Sequence, residues 1–391
     1  MENTWIELDL AVLGDNIGRM RAALCAGTEL IFVVKSEAYG HGMIPVTRCA
    51  IGNGVKWFAV AHTEEAIRLT DNFPGVNVLV LGVMQRDAVA EAAARGITPL
   101  VADEEHGLEL ASAAAAAGVV LKCHVKTDTG MGRLGIHWER AAATVVSLAA
   151  ARGLALTGIC THLAASDEPE TDYSLLQIQR FRAVVEECKR RGIAFGMRHV
   201  SNSGGFHSLP ACDYEGVRCG IELYGYGPHG AARRIATRPF LQWKSVIAQV
   251  KDVEAGFKVG YGSTYVAGHE TTIATIDAGY SDGYSRHLGN KAQVLFGGRR
   301  VPVVGRVSMN LVTVDLGPGA GARRGDEVVL LGAQGNDEIW ADEVARWCGT
   351  IPYEVLTSIR APACYVLGEG GSRSRAELYR RRRANAAAAA T

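Results

Sequence analysis

One pattern repeats from residue 30 to residue 224 and constrains the fold more than any other feature of the sequence. A short apolar run is followed by a polar or glycine-rich turn, and then by a stretch with apolar residues three and four positions apart, as in an amphipathic helix. Strands that alternate with helices in this way form right-handed βαβ units and a parallel sheet. The apolar runs are eight in number and occupy residues 30–34, 57–61, 76–82, 97–101, 120–126, 154–162, 197–201 and 218–225.

Eight such repeats in about 200 residues favour a closed (β/α)₈ barrel of the TIM type over an open doubly wound sheet. An open dinucleotide-binding sheet would also carry a GxGxxG motif after its first strand, and the sequence has none at that position. We therefore predict a barrel domain over residues 1–233.

The pattern changes beyond residue 233. Alternating apolar residues separated by Gly, Asp and Asn turns, for example over residues 241–253 and 292–316, predict a mainly antiparallel β domain over residues 234–367. The last segment, residues 368–391, is rich in Gly, Arg and Ala, which predicts a disordered tail. Its arginine run, Arg380 to Arg383, leaves open a contact with RNA or anionic lipid.

The composition argues against several classes of protein. Of the 391 residues 48% are hydrophobic, and 41 basic residues balance 41 acidic ones, whereas proteins that coat nucleic acid or anionic membranes are usually basic. The nine cysteines include no CxxC pair, which argues against a zinc site or a disulfide framework and suits a reducing compartment. No signal peptide or membrane-spanning segment is evident. We expect a cytoplasmic protein that acts on a small molecule without a metal, nucleic-acid or membrane partner.

Polar residues collect at the C-terminal ends of the predicted strands, where barrel enzymes carry their catalytic groups. Each has a structural alternative, since a lysine can simply mark the exposed end of a strand and a single histidine can be a hydrogen-bonded core residue. Their common location at one rim favours a site. They are Lys35, Tyr39, Lys126, Arg133, His162, Asn202, Ser203 and Arg218.

The segment "SNSGG" at residues 201–205 has the composition of an anion-binding loop. Its glycines allow backbone N–H groups to converge, Asn202 and Ser203 add polar side chains, and Gly220 permits a close approach. A phosphate cradle facing Lys35 predicts a phosphorylated aldehyde bound covalently to that lysine, and pyridoxal 5′-phosphate (PLP) is the candidate. On spacing alone, a phosphate-binding barrel with an unrelated lysine remains open.

The order of these motifs resembles that of the alanine racemase family. The likeness extends from "TWIELDL" near the start to "IPYEVLTSI" near the end, and it includes "VVKSEAYGHG", "KTDTGMGRLG", "THLAASDE", "HVSNSGG", "VRCGIELYGYGP", "GYGSTYVA", "AGYSDGYSR" and "VGRVSMN". The resemblance implies a PLP-dependent isomerase that converts L-alanine to D-alanine for peptidoglycan. It also implies a homodimer with shared active sites.

The resemblance assigns the two bases that racemisation needs on opposite faces of the reacting carbon. Lys35 would bind PLP covalently and act as one base, and Tyr261 from the partner subunit would act as the other. Tyrosine has an ordinary pKa near 10, so His162 and Arg218 would support Tyr261. Arg218 would also face the pyridine nitrogen of PLP and disfavour its protonation, which would limit side reactions such as transamination.

Further roles follow from the same resemblance. Arg133 would contact the phenolic oxygen of PLP and the carboxylate of the substrate. Lys126 matches a lysine that is carbamylated in many members and would then position Arg133. Tyr280 and Met309 match residues near the substrate entrance and the substrate carboxylate. The positions that match phosphate contacts are Tyr39, Ser203, Gly220 and Ile221.

Three features depart from the family pattern. Glu37 stands where asparagine is usual, Ser308 and Asn310 replace the residues of a "VCMD" motif, and the ending "SIRAPA" lacks a tyrosine expected at the phosphate. Asn310 leaves open a preference for serine or a broad set of amino acids. A decarboxylating relative is disfavoured by Arg218 and Tyr261, and a non-catalytic PLP-binding protein is disfavoured by the β domain. The same motifs fit a biosynthetic or a catabolic role.

Overall fold

The computed structural model describes residues 3–168, 172–209, 214–227, 233–361, 363–367 and 377–380. The chain forms two compact units. One consists of Leu13–Ala38 and Val46–Arg238, and the other of Met1–Val12, Tyr39–Pro45 and Pro239–Thr391. Hereafter they are called the barrel unit and the sheet unit.

The elements from the start of the chain to the end of the barrel unit alternate between strands and helices. In chain order they are β1 (Thr4–Asp9), α1 (Leu10–Ala23), β2 (Glu29–Val33), α2 (Met43–Gly52), β3 (Trp57–Val60), α3 (Thr63–Asn72), β4 (Asn77–Val80), α4 (Val89–Arg95), β5 (Ile97–Val101), α5 (Glu104–Ala116), β6 (Leu121–Asp128), β7 (Ile136–His137), α6 (Trp138–Ala150), β8 (Leu154–Cys160), α7 (Asp172–Arg190), β9 (Met197–His199), α8 (Ser203–Ser208) and β10 (Gly216–Cys219).

The remaining elements are mostly strands. They are β11 (Leu241–Val253), β12 (Lys258–Val259), β13 (Tyr265–Val266), β14 (Thr271–Ile276), β15 (Gln293–Phe296), β16 (Arg299–Pro302), β17 (Val312–Asp315), β18 (Glu327–Gln334), β19 (Asp337–Ile339), α9 (Ala341–Cys348), α10 (Pro352–Ser358), β20 (Ala363–Leu367) and β21 (Glu377–Arg380).

Eight parallel strands of the barrel unit close on themselves, which confirms the predicted TIM-type barrel. Their order is β5-β4-β3-β2-β10-β9-β8-β6, and a further pairing of β5 with β6 completes the ring. The strands are buried by side chains inside the ring and by helices outside it. On the outside, for example, Val145 of α6, Ile159 of β8 and Phe181 of α7 belong to one fully buried cluster.

The eight predicted apolar runs all coincide with barrel strands, but the last one ends earlier than predicted. β10 covers Gly216–Cys219, whereas the apolar run was predicted over residues 218–225. Residues 221–225 instead form consecutive turns, in which the Leu223 amide donates to the Gly220 carbonyl (2.9 Å) and the Tyr226 amide to the Ile221 carbonyl (3.1 Å). Their apolar side chains are buried in turns, and burial alone does not distinguish such turns from a strand.

The sheet unit is mainly antiparallel, as predicted. Its main sheet has the strand order β16-β15-β18-β11-β1-β20-β21, and the 13-residue strand β11 also pairs with β14. Buried Lys244 of β11 joins three strands, because its amine lies 2.9 Å from Glu7 of β1 and 3.1 Å from Glu327 of β18. A buried amine is tolerated where carboxylates compensate its charge.

Three stretches differ from the predicted domain limits. We assigned residues 1–233 to the barrel domain, but residues 1–12 and 39–45 belong to the sheet unit, and residues 234–238, which we assigned to the β domain, belong to the barrel unit. β1 is hydrogen-bonded antiparallel to β11 and parallel to β20. Its partners are more than 200 residues away, so local sequence does not reveal them.

The tail predicted to be disordered includes a strand. Residues 377–380 form β21, which pairs antiparallel with β20. Arg380, the first residue of the arginine run, belongs to this strand, and the rest of residues 368–391 lies outside the described residues. Among the helices that the structure describes, none has the length and apolar character needed to cross a membrane.

Candidate active site

Lys35 lies two residues after the end of β2, at the C-terminal rim of the barrel. Its side chain is half-buried, and its amine makes no hydrogen bond or ion pair with any residue that the structure describes. Burial and the nearby positive charge of Arg133 lower the pKa of Lys35, whereas Glu65 opposes this change. A lysine whose pKa is lowered carries more of the neutral amine, which is the nucleophilic form.

The backbone after Lys35 adopts an uncommon conformation. Residues 36–39 have consecutive φ angles of 54°, 54°, 51° and 52°, which form a left-handed turn without glycine. Left-handed helical geometry costs L-residues about 1–2 kcal/mol each, so contacts from outside must offset the strain. The Ser36 amide donates to Glu65 Oε1 (2.7 Å), and Glu37 forms an ion pair with Arg68. Glu37, a departure from the family pattern, is therefore paired within the barrel unit.

Arg218 of β10 is buried and makes no ion pair with a described carboxylate. Its terminal nitrogens donate to three main-chain carbonyls and to two imidazoles. The distances are 2.6 Å to His199 Nδ1 and 3.1 Å to His162 Nδ1. Its Nε donates no hydrogen bond to any described residue. A donor therefore remains available for a ligand atom that accepts.

Arg218 determines the protonation state of its histidine neighbours. Arginine can only donate, so Nδ1 of both His162 and His199 must accept and their protons lie on Nε2. Burial and the Arg218 charge lower the pKa of both imidazoles well below the ordinary value, which keeps them neutral. His199 Nε2 then donates to Nδ1 of His124 (2.9 Å), whose pKa is lowered to about 4, mainly by burial.

Lys126 and Arg133 lie on either side of a tight turn. Lys126 of β6 is buried, its amine donates to the Thr127 carbonyl (3.0 Å), and burial lowers its pKa to about 8. The Asp128 carboxylate then accepts from the amides of residues 130–132 at 2.9–3.2 Å, which shapes the "TDTGMG" turn. Arg133 follows the turn, is exposed, and forms no hydrogen bond or ion pair with the described residues.

The predicted anion loop is built around α8. Asn202 accepts from the Gly205 amide (2.9 Å) and from the Ser166 hydroxyl (2.8 Å), so its side-chain oxygen holds the loop. The Ser203 hydroxyl accepts from the Gly220 amide (3.2 Å), which joins the loops after β9 and β10. A Cβ at Gly204 would lie 1.8 Å from Asp167 Oδ1, so a larger residue there would displace the Asp167 side chain.

The sheet unit holds the other residues that we singled out. Tyr261 lies at the tip of the hairpin between β12 and β13, and 71% of it is exposed. Tyr280 and Met309 are also exposed. The Met309 carbonyl accepts from the Ser281 hydroxyl (2.8 Å), which in turn accepts from the amide nitrogen of Asn310 (2.8 Å). Asn310 therefore holds the Met309 segment in place.

Several residues of interest were not singled out from the sequence. Tyr353 packs against Tyr39 within the sheet unit, with ring centroids 5.7 Å apart. Glu65 contacts the turn after Lys35, and His199 and His124 support Arg218. Tyr353 lies in the "IPYEVLTSI" motif, so the sequence alone could have identified it as a candidate site residue. The other three depend on contacts between distant elements.

The structure brings one group of the predicted site residues together and leaves another in the sheet unit. The charges of Arg218, Lys126, Arg133 and Lys35 all lower the pKa of His162, which shows that these residues share one electrostatic environment. Asn202, Ser203, Gly220 and Ile221 belong to the same barrel unit. The sheet unit contains Tyr39, Tyr261, Tyr280 and Met309.

Comparison with known proteins gives a consistent result. The alanine racemase of Syntrophobacter fumaroxidans is 41% identical over 360 residues, which are 92% of this chain and 96% of that protein. The crystal structure of alanine racemase from Bacillus anthracis with bound L-Ala-P has a TM-score of 0.89 at 31% identity and covers 97% of this chain and 98% of its own. The alanine racemase from Bartonella henselae with covalently bound pyridoxal phosphate has a TM-score of 0.83 at 27% identity, over 92% of this chain and 98% of its own.

The family models cover both parts of the chain. Residues 8–228 match the model described as alanine racemase, N-terminal domain, and residues 240–365 match the model described as alanine racemase, C-terminal domain. The match thus includes the barrel with Lys35 and Arg218 and the β domain with Tyr261. With both domains matched, and with this degree of identity over nearly all of its length, the chain belongs to the alanine racemase family.

Proposed function

We propose that this protein is a PLP-dependent enzyme that interconverts L-alanine and D-alanine and supplies D-alanine for peptidoglycan. The observation that carries the proposal is the half-buried amine of Lys35, which has a lowered pKa and no partner among the described residues. The Bacillus anthracis and Bartonella henselae relatives, whose structures contain L-Ala-P and covalently bound pyridoxal phosphate, support the substrate and the cofactor.

The residues of this chain fit PLP in three respects. Lys35 offers a nucleophilic amine for its aldehyde. The loops held by Asn202 and Ser203, with Gly220 and Ile221, would take its phosphate together with the hydroxyl of Tyr39. The Nε donor of Arg218 has no partner among the described residues, and it suits an unprotonated pyridine nitrogen. Bound there, PLP supplies the electron sink that makes the Cα proton of an amino acid acidic.

The chain's own groups would move the proton. Lys35 would remove or return the Cα proton on one face, and Tyr261 of a second subunit would do the same on the other. Neutral His162 carries its proton on Nε2, because Arg218 occupies its Nδ1. It would therefore act as a hydrogen-bond donor that stabilises the phenolate form of Tyr261.

Arg133 and Lys126 would orient the substrate. The exposed guanidinium of Arg133 is a suitable partner for a carboxylate, since arginine binds carboxylates through two parallel hydrogen bonds. Lys126 has a pKa of about 8, so near neutral pH part of it is an unprotonated amine. Addition of that nitrogen to CO₂ with loss of one proton would give a carbamate, an anion able to hold Arg133. Tyr280 and Met309 would line the approach to the site.

We further propose a homodimer in which each sheet unit supplies Tyr261 to the other subunit's barrel. Its support is the exposure of large apolar side chains on the sheet unit, among them Tyr261 (71%), Met309 (56%) and Val266 (50%). Large apolar side chains exposed in this way are candidates for contact with a partner. The enzyme would act in the cytoplasm, where free thiols such as Cys123, Cys160 and Cys188 persist.

Racemisation of serine is the second candidate function, and it was suggested by the asparagine at position 310. The amide nitrogen of Asn310 donates one of its two hydrogens to the Ser281 hydroxyl, which orients the group. We favour alanine, because the relatives that match this chain are alanine racemases. A non-catalytic PLP carrier is disfavoured because the chain carries the sheet unit with Tyr261.

The test is the formation of D-enantiomer by the purified, PLP-loaded protein from L-alanine and L-serine in parallel. We expect fast turnover of alanine and slow turnover of serine. Turnover of serine at the rate of alanine would replace the alanine assignment by a broader one. If neither substrate reacts although borohydride reduction links PLP to Lys35, the protein is a non-catalytic PLP carrier.

A further inference from the structure

The left-handed turn after Lys35 is contacted by one face of α3. Glu65 and Arg68 are three residues apart and lie on the same side of this helix. Glu65 Oε1 accepts from the Ser36 amide (2.7 Å), and Arg68 forms an ion pair with Glu37. Two consecutive residues of the turn are thus held by side chains of α3.

Glu65 also belongs to the start of its own helix. Its second oxygen, Oε2, accepts from the amides of Ala61 (2.8 Å) and His62 (3.1 Å), which precede α3. One carboxylate therefore connects the loop after β3 with the turn after β2. Since β2 and β3 are adjacent barrel strands, the turn is attached to the rigid framework of the barrel.

The turn has an unfavourable backbone conformation that its surroundings must stabilise. Residues 36–39 include no glycine, although all four have positive φ angles. In its second half Ala38 and Tyr39 are buried, and the Ala38 amide donates to the Val34 carbonyl (2.9 Å). Its first half, next to Lys35, is more exposed, and the contacts from Glu65 and Arg68 hold this half.

We infer that Glu65 is a positioning residue for Lys35. Its hydrogen bond to the Ser36 amide holds the left-handed turn, together with the Arg68–Glu37 pair. The turn thereby fixes the backbone from which the Lys35 amine reaches a bound aldehyde. This inference rests on the proposed covalent link between Lys35 and PLP. Reactions between positioned groups are sensitive to small displacements, and a shift of about 1 Å can cost about a hundredfold in rate.

A substitution of Glu65 removes both its charge and its hold on the turn, and these two losses predict opposite effects on the rate at which Lys35 reacts with an aldehyde. The charged groups that act on Lys35 are Arg133, which lowers its pKa, and Glu65, which raises it. Loss of the Glu65 charge would lower the pKa of Lys35 further, so a purely electrostatic role predicts more neutral amine and a faster reaction with an aldehyde. Loss of position predicts a slower reaction in spite of the larger neutral fraction.

The experiment follows the covalent attachment of PLP to the apo-protein, by borohydride reduction at timed intervals and mass spectrometry of the Lys35 peptide. The variants are Glu65→Gln and Arg68→Met. In Glu65→Gln one oxygen is replaced by an NH₂ group that cannot accept. The matched control is Glu64→Gln, which removes the same charge from the same helical turn at an exposed residue without a contact to the turn.

We expect attachment to be about ten- to a hundredfold slower in Glu65→Gln, slower to a smaller extent in Arg68→Met, and unchanged in Glu64→Gln. The pH midpoint of Lys35 modification by an amine reagent should fall in Glu65→Gln, a change that a merely structural role would not produce. Attachment at the wild-type rate or faster in both variants would overturn the inference. If Glu65→Gln does not fold, Arg68→Met alone tests the inference, and attachment at the wild-type rate or faster in that variant would overturn it. If the wild-type protein itself does not attach PLP, the proposed function fails instead.

Discussion

At the scale of single residues, Arg218 explains much of the chemistry at the rim. It is a buried cation without a carboxylate partner among the described residues, and it donates to neutral acceptors. Buried charges normally require compensation, so this arrangement suits a site that receives an anionic ligand. The same guanidinium keeps His162 and His199 neutral by lowering their pKa.

Tyr261→Phe should abolish racemisation while PLP attachment is retained. Loss of a positioned acid–base group typically costs about 10²- to 10⁴-fold in rate. The readouts are D-alanine formation and solvent-deuterium exchange at Cα, which should persist for one enantiomer because Lys35 remains. The control is Tyr265→Phe in the same hairpin, where the lost hydroxyl donates to Asp315 (2.5 Å). Normal racemisation by Tyr261→Phe would exclude the two-base assignment.

Lys126 predicts a pH dependence of stability. Its pKa is 10.5 in the unfolded chain and about 8 in the folded protein, so between these values the unfolded chain holds more protons. The free energy of unfolding should therefore rise from about pH 8 to 10.5, and the cost of the buried charge is fully present below pH 8.

Lys126→Met should remove that cost and stabilise the protein at pH 7 by about 2–3 kcal/mol. It should also flatten the rise above pH 8. Urea unfolding in CO₂-free buffer across this range measures both effects. Lys122→Met, on the exposed side of the same strand, is the control. An identical pH profile for the wild-type protein and Lys126→Met would contradict the prediction.

At the scale of elements, close packing between β8 and β6 holds the histidines behind Arg218. A Cβ at Gly158 of β8 would lie 2.6 Å from the ring of His124 on β6. His124 cannot readily move away, because its Nδ1 is hydrogen-bonded to His199. Glycine at this position therefore determines how closely the strand and the imidazole approach.

Gly158→Ala should lower the free energy of unfolding by about 1–3 kcal/mol, the usual cost of overpacking. The control is Gly196→Ala, where the nearest atom to a new Cβ is an ordinary 3.4 Å away. Urea unfolding followed by tryptophan fluorescence compares the two variants. Equal midpoints would mean that the His124 side chain is free to shift.

At the scale of the whole molecule, the proposed dimer requires residues of both subunits in each active site. Lys35 lies in the barrel unit and Tyr261 in the sheet unit. If each active site combines the two from different subunits of an isologous dimer, a heterodimer of Lys35→Ala and Tyr261→Phe has one intact site and one doubly defective site.

Mixing the two inactive variants, with dissociation and reassociation, should restore about a quarter of wild-type activity, since half of the dimers are mixed and each has one of two sites intact. Each variant carried alone through the same procedure is the control. Absence of recovery, with mixed dimers shown by mass spectrometry, would mean that both residues act within one subunit.

Much of the fold and of the site is predictable from local sequence. The eight apolar runs identified the barrel because strands and helices impose their periods on adjacent residues. Lys35, Lys126, His162 and Arg218 were expected at the rim because parallel barrel strands end on the same side. The pattern of residues close together in the chain is therefore sufficient to predict both the barrel and the location of these side chains.

Other features depend on contacts that local sequence does not contain. The run predicted over residues 218–225 overlaps β10 only at residues 218 and 219, and residues 221–225 form turns. The place of β1 in the sheet unit, the left-handed turn held by Glu65 and Arg68, and the His124–His199–Arg218 chain all join residues from different elements. The sequence by itself determined the succession of strands and helices and the residues available for chemistry. The tertiary structure decided which of them are buried, paired or left without a partner, because hydrogen bonds and desolvation depend on neighbours brought together only by folding.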